Sequence, residues 1–100
     1  MIFITQLIFI KPGQESAFQD FEQVAMPQIS KYKGTLLLRL RPGHDSFIET
    51  AIGKPYEIHL VQFPTQKDFD NFKHDEERKK FLHLKEQSVR EAILIQGVRL

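Results

Sequence analysis

Ile2-Phe3-Ile4-Thr5-Gln6-Leu7-Ile8-Phe9-Ile10 is the stretch on which the fold of this 100-residue chain turns. It is rich in β-branched and aromatic residues and is apolar at both odd and even positions, as a central strand covered on both faces requires. Lys11-Pro12-Gly13 ends the run too early for a secretion signal, and no basic leader or small-residue cleavage site accompanies it. A strand of the folded domain is therefore expected here.

Downstream of it, Phe18, Phe21, Ala25, Ile29 and Tyr32 recur at three- and four-residue steps, which predicts an amphipathic helix over 14–32. Pro27 falls inside that pattern and predicts a kink or break near 24–26, because proline removes a backbone hydrogen bond and crowds the preceding turn. Gly34 is expected to cap the helix in the left-handed conformation. Residues 35–41 read as a second strand, stopped by Pro42-Gly43, and 56–63 as a third. The connection over 43–55 is long for a hairpin and carries apolar residues, so it is expected to fold onto something: as a short extra strand, as a lid, or across a partner subunit.

Phe63-Pro64-Thr65 closes the third strand and opens a helix, with Thr65 as N-cap and Asp68 three residues on. Phe69 and Phe72 carry its buried face. The stripe then lapses, and Asp75-Glu76-Glu77 looks like a second N-cap with acids in the first turn, so two helical segments meeting near His74-Asp75 are expected. A fourth strand over 92–100 ends the chain.

The order strand, helix, strand, strand, helix, strand, with short connections and right-handed crossovers, predicts an α+β, ferredoxin-like single domain over 1–100: a four-stranded antiparallel sheet with both helices on one face. The first strand offers apolar residues to both faces, and so does the last, with Ile93/Ile95 and Leu94/Val98. One helical layer covers only one set. A second copy packed sheet to sheet is the economical cover, so a homodimer is expected; the alternative is a monomer whose open face is only partly apolar.

Composition bounds the function. A net charge of +1 with 27% charged residues points to neither nucleic acid nor an anionic membrane as partner. Nine Phe without Trp favour burial over wet aromatic contacts. Zero Cys excludes disulfides, thiolate metal sites and thiol nucleophiles and fits a cytoplasmic location. His44, His59, His74 and His83 show no metal-ligand spacing, and the five Gly do not cluster into a phosphate loop, so no metal and no cofactor are expected.

The segment 56–65 (Tyr-Glu-Ile-His-Leu-Val-Gln-Phe-Pro-Thr), Phe72, the acidic helix start at Glu76 and the closing Ile93-Leu94-Ile95-Gln96-Gly97-Val98 resemble a family of small uncharacterised bacterial domains in the dimeric α/β-barrel superfamily. Tyr32-Lys33-Gly34 and Phe47-Ile48-Glu49 fit it loosely. The sequence departs from the family pattern at His74-Asp75-Glu76-Glu77, where a Ser-Pro-Glu-Tyr-like turn is usual. The resemblance spans nearly the whole chain, its motifs are structural, and it implies the ferredoxin-like fold and a dimer. More distantly the chain is similar to antibiotic-biosynthesis monooxygenases, which implies cofactor-independent chemistry on a small organic substrate.

The chemistry-bearing residues cluster on the hairpin of the second and third strands. Pairing about the 43–55 loop brings Arg41 near Glu57 and Arg39 near His59, with all four side chains on one face. A His flanked by Arg and Glu can serve as a general base, and Arg can stabilise developing negative charge. His59, Glu57 and Arg39 are thus the candidate catalytic residues; the alternative is a cross-strand ion-pair ladder that holds register. Arg41, Gln6, Gln96 and His74 are candidate substrate contacts: Gln6 and Gln96 as polar positions in apolar neighbouring strands, which either face a pocket or hydrogen-bond each other, and His74, one turn from Arg78, at the helix break, where a side chain can enter the cleft; the alternative for His74 is a solvated helix end. His44 and Asp45 read as turn residues. The functional expectation is a homodimeric small-molecule-binding domain, with monooxygenase- or isomerase-like acid/base catalysis open; the alternative is a non-catalytic ligand-sensing or protein-interaction module.

Overall fold

The computed structural model describes all 100 residues. The doubly apolar stretch forms β1 (Ile2–Ile10) and sits inside the sheet. It is followed by α1 (Glu15–Lys31), β2 (Thr35–Leu40), β3 (Glu57–Phe63), three short helices α2 (Gln66–Lys73), α3 (Glu76–Lys80) and α4 (Leu82–Ser88), and β4 (Val89–Gly97). The four strands lie in the order β2-β3-β1-β4, every neighbouring pair antiparallel. This is the expected ferredoxin-like arrangement, one helical layer on one sheet face.

Register decides which side chains meet. His59 pairs with Gln6 on one side and Arg39 on the other. Alternation then turns Glu57, His59, Val61 and Phe63 toward the helices, where all four are buried, and leaves Ile58, Leu60 and Gln62 on the open face. Phe63 packs against Phe69 and Phe72 of α2, with ring centroids 5.4 and 5.5 Å away, and joins Ile4, Ile29 and Val61 in the core.

Several local expectations are corrected. The α1 helix runs unbroken through Pro27, so tertiary packing of Phe18, Phe21, Ala25 and Ile29 outweighs the lost backbone bond. At its end Lys33, not Gly34, takes the left-handed conformation (φ 67°), while Gly34 N–H donates to Ile29 O at 2.8 Å and Lys33 N–H to Ser30 O at 3.1 Å, a Schellman closure. Gly34 is required for space instead: a Cβ there would stand 2.6 Å from the Phe63 ring and 2.8 Å from the Ile29 side chain.

The second helical region has three segments. The break at His74-Asp75 is where the sequence places it, and a further one falls at Phe81. Thr65 and Asp75 both act as N-caps, accepting from the backbone N–H of Asp68 and Arg78. Asp75 does more than cap. It is 1% exposed, and its Oδ1 accepts from Lys31 Nζ at 2.9 Å and Tyr32 Oη at 2.7 Å, tying the end of α1 to the start of α3.

The 43–55 connection adds no strand. It contains a 3₁₀ turn at His44–Ser46, and near its end Gly53 (φ 88°) lies beside the Phe9 ring. Strand β4 begins earlier than expected, at Val89. No helix is long and apolar enough to cross a membrane.

Candidate functional site

The β2–β3 register delivers the expected cluster, with Glu57 at its centre. Arg39 donates twice to its carboxylate, Nε to Oε2 at 3.1 Å and Nη2 to Oε1 at 3.0 Å. Arg41 Nε donates to Oε1 at 2.8 Å, and His59 Nε2 lies 2.6 Å from Oε2. Burial pushes the Glu57 carboxyl up, but hydrogen bonds from His59, Arg39 and Arg41 outweigh it and hold the group at about 2, well below the carboxylate range. Glu57 is therefore the acceptor in its bond to His59. His59 Nε2 is the donor in that bond, and Nδ1 makes no hydrogen bond within the chain.

His59 is 3% exposed and lines a cavity between the sheet and the helices. The cavity measures about 60 Å³ and is walled chiefly by apolar side chains, among them Ile4, Phe21, Met26 and Phe72. Five polar side chains reach it: Gln6, Glu22, His59, Arg78 and Lys85.

Glu22 is the residue that pattern reading missed. It is 5% exposed and makes no ion pair, and it stands on the buried side of α1, one turn beyond Phe18. Burial raises its pKa, with Glu57 adding to the effect and His59, Arg39 and Arg78 opposing it. Its carboxylate, that of Glu57 and a His59 ring nitrogen lie within 4.8 Å of one another. Such a trio has donor types suited to a hard cation. The two guanidinium groups already on Glu57 would compete with any ion there.

The other expected residues divide. Gln6 and Arg78 reach the cavity. His74 is exposed, its Nδ1 2.7 Å from Asp70 O, so of the pair at the helix break it is Arg78 that turns inward. Gln96 does not meet Gln6: it lies opposite Ile4 and donates to Gln66 Oε1 at 2.6 Å. Arg41 braces Glu57 from outside the cavity.

The environment of Glu22 carries a pH signature with a definite sign. A carboxyl whose folded pKa lies above its ordinary 4.5 destabilises the fold at high pH and ceases to do so below 4.5. Glu22→Gln is accordingly expected to raise the melting temperature at pH 8. The gain should shrink to nothing as pH falls through 4.5. A scanning series that found Glu22→Gln less stable than the parent at pH 8 would remove the buried carboxyl from this account.

No family model and no curated protein matches the chain. Solved structures do. A protein of unknown function from Rhodopseudomonas palustris superimposes with a TM-score of 0.83 at 13% identity, over 99% of this chain and 82% of that one. An uncharacterised NIPSNAP domain protein from Burkholderia xenovorans gives 0.70 at 11% identity, over 100% and 95%. A provisional antibiotic biosynthesis monooxygenase from Nitrosomonas europaea gives 0.70 at 14% identity, over 100% and 99%. At these identities the likeness concerns the fold. The chain shares the ferredoxin-like fold of these proteins.

Proposed function

We propose that this chain is a homodimeric small-molecule-binding domain that moves a proton on a compact, enolisable organic substrate without a cofactor. The observation that carries this reading is the pairing of His59 and Glu22 at one cavity. Glu57 orients His59 and leaves Nδ1 without a hydrogen bond within the chain, while burial favours the protonated form of Glu22. Two carboxyls whose surroundings push their pKa values apart, one down to about 2 and one up, mark an acid/base assignment. His59 Nδ1 takes a proton from carbon next to a carbonyl, the Glu22 carboxyl, in the protonated form that burial favours, donates a hydrogen bond to the enolate oxygen that forms, and return of the proton to a neighbouring atom completes a tautomerisation.

Size narrows the substrate. The cavity of about 60 Å³ is less than half the roughly 150 Å³ that admits a benzene ring. A ring substrate such as a quinol needs the α2–α4 arm to shift; a compact oxo compound does not.

Incubation in D₂O with 2-oxo acids, lactones and quinols, followed by NMR, reads the proposed step as deuterium wash-in. His59→Ala is expected to slow it by about 10²–10⁴-fold, the usual share of a general base. Equal wash-in with the parent and His59→Ala would remove His59 from the chemistry, and no wash-in with any compound would favour the non-catalytic ligand-sensing reading.

A further inference from the structure

The charges around the cavity do not balance. Arg39 and Arg41 both pair with the Glu57 carboxylate, but Arg78 on α3 and Lys85 on α4 reach the same cavity and form no ion pair. One Arg78 nitrogen, Nη1, donates to the Lys73 carbonyl at 3.1 Å, which fixes the guanidinium without neutralising it. The rest of that group lies over the rings of Phe21 and Phe72, 5.7 and 5.6 Å from their centroids, and Lys85 is half-buried. Two cations held at an apolar wall without a direct ion pair, with only the longer-range field of Glu22 on both and of Asp75 on Arg78, cost solvation energy. Burial lowers the pKa of both, and Arg78 lowers that of Lys85 further.

We infer that the cavity takes a compact monocarboxylate, its charged group held by Arg78 and Lys85 and its short apolar body against Phe21, Met26 and Phe72. This rests on the pocket reading above and adds the substrate class. An anion supplies what the two cations lack, and a guanidinium presents a planar fork to a carboxylate. Burial favours the neutral form of Glu22, which reduces its repulsion of a bound anion. The cation surplus also argues against a metal ion as the natural occupant of the Glu22, Glu57 and His59 trio. Gln6, across from His59 on the sheet, has an amide free to contact the far end of the ligand.

Calorimetric titration of the intact chain with acetate and with acetamide, its neutral isostere and small enough for a cavity of about 60 Å³, tests the inference apart from any turnover. The acid is expected to bind about tenfold or more tighter than the amide. Arg78→Met and Lys85→Met should each abolish that preference, and Arg78→Lys, which keeps the charge, should retain part of it and serves if Arg78→Met folds poorly. Equal affinity for acid and amide, or an acid preference that survives both Met variants, overturns the inference and leaves the pocket in place. Binding of neither ligand overturns both. Tight acid binding with no deuterium wash-in upholds the carboxylate site and removes the proton-transfer step.

Discussion

Glu57→Ala is expected to lower the unfolding free energy by about 3 kcal/mol, the lower end of the 3–5 kcal/mol typical when one partner of a buried ion pair is removed. Glu57 is 1% exposed and receives four hydrogen bonds, two from Arg39 and one each from Arg41 and His59. Its loss leaves two guanidinium groups facing an imidazole across a void. The lower end applies because the Arg39 and Arg41 side chains are 31% and 42% exposed and can turn partly to water. Since domains of this kind are stable by only about 5–15 kcal/mol, a urea titration will show the effect plainly. A loss below roughly 1 kcal/mol would mean that the network carries little of the fold.

A companion variant separates structure from chemistry. Replacing Arg39 and Arg41 with Met and Glu57 with Leu removes every charge of the ladder together and is expected to regain most of the lost stability, because apolar residues of similar volume often replace buried ion pairs without cost. If that variant folds yet no longer exchanges deuterium into substrate, the ladder exists to orient His59. If it folds and exchanges like the parent, the ladder only holds register. The acid limb should change as well. A carboxyl held at about 2 stabilises the fold above 4.5 and loses that contribution as pH falls toward 2, so the triple variant should unfold less steeply over this interval. Asp75, also at about 2 through Tyr32 and Lys31 against the opposing effect of burial, keeps its share in both proteins.

The two-sided apolarity of β1 places it inside the sheet, and hairpin pairing puts Arg39 opposite His59 on sequence grounds alone, because strand alternation and pairing are one-dimensional rules. What the pattern could not rank was a charge inside an apolar stripe. Glu22 lies four residues after Phe18 and three before Ala25, hence on the buried face of α1, and this was the signal available. Arg78 and Lys85 were hidden differently. They belong to a charge-rich stretch that reads as a solvated face, and only the breaks at His74-Asp75 and Phe81 rotate them inward while leaving His74 outside. Asp75 was legible as a cap but not as the buried partner of Lys31 and Tyr32, since a contact spanning 44 positions depends on how two helices dock. The unbroken course of α1 through Pro27 has the same origin: packing against the sheet outweighs a local penalty that the sequence states correctly.

Leu38→Glu combined with Ile95→Glu is expected to leave the chain sedimenting at the 11.8 kDa of a single copy, where the parent should sediment at twice that mass. The case for the parent dimer begins with shape. The chain is a slab of 36 × 35 × 16 Å, one sheet and one helical layer thick, with a radius of gyration of 13.8 Å against about 12.7 Å for a compact domain of this length. Its 6360 Å² of accessible surface exceeds the roughly 5,900 Å² of a monomer of this mass. The open sheet face holds Phe3, Leu7, Leu38, Ile58, Leu60 and Ile95, and on the 43–55 connection Gly53 lies beside Phe9 while Ile48 is 96% exposed. A twin packed on this face would bury about 800 Å² per copy in a standard interface and give Ile48 a neighbour. Leu38 and Ile95 are 47% and 52% exposed, so their replacement removes little from the chain's own core. Around a twofold axis, however, each new carboxylate meets carboxylates of the other copy in a desolvated interface. A parent that sediments as one copy at micromolar concentration, or a variant that still pairs, would remove the twin. The consequence reaches the site, because β3 carries Glu57 and His59 on one face and Ile58 and Leu60 on the other. A partner pressed against Ile58 and Leu60 stiffens the strand that aims His59, so the monomeric variant should also exchange deuterium more slowly than the parent while its circular dichroism stays unchanged.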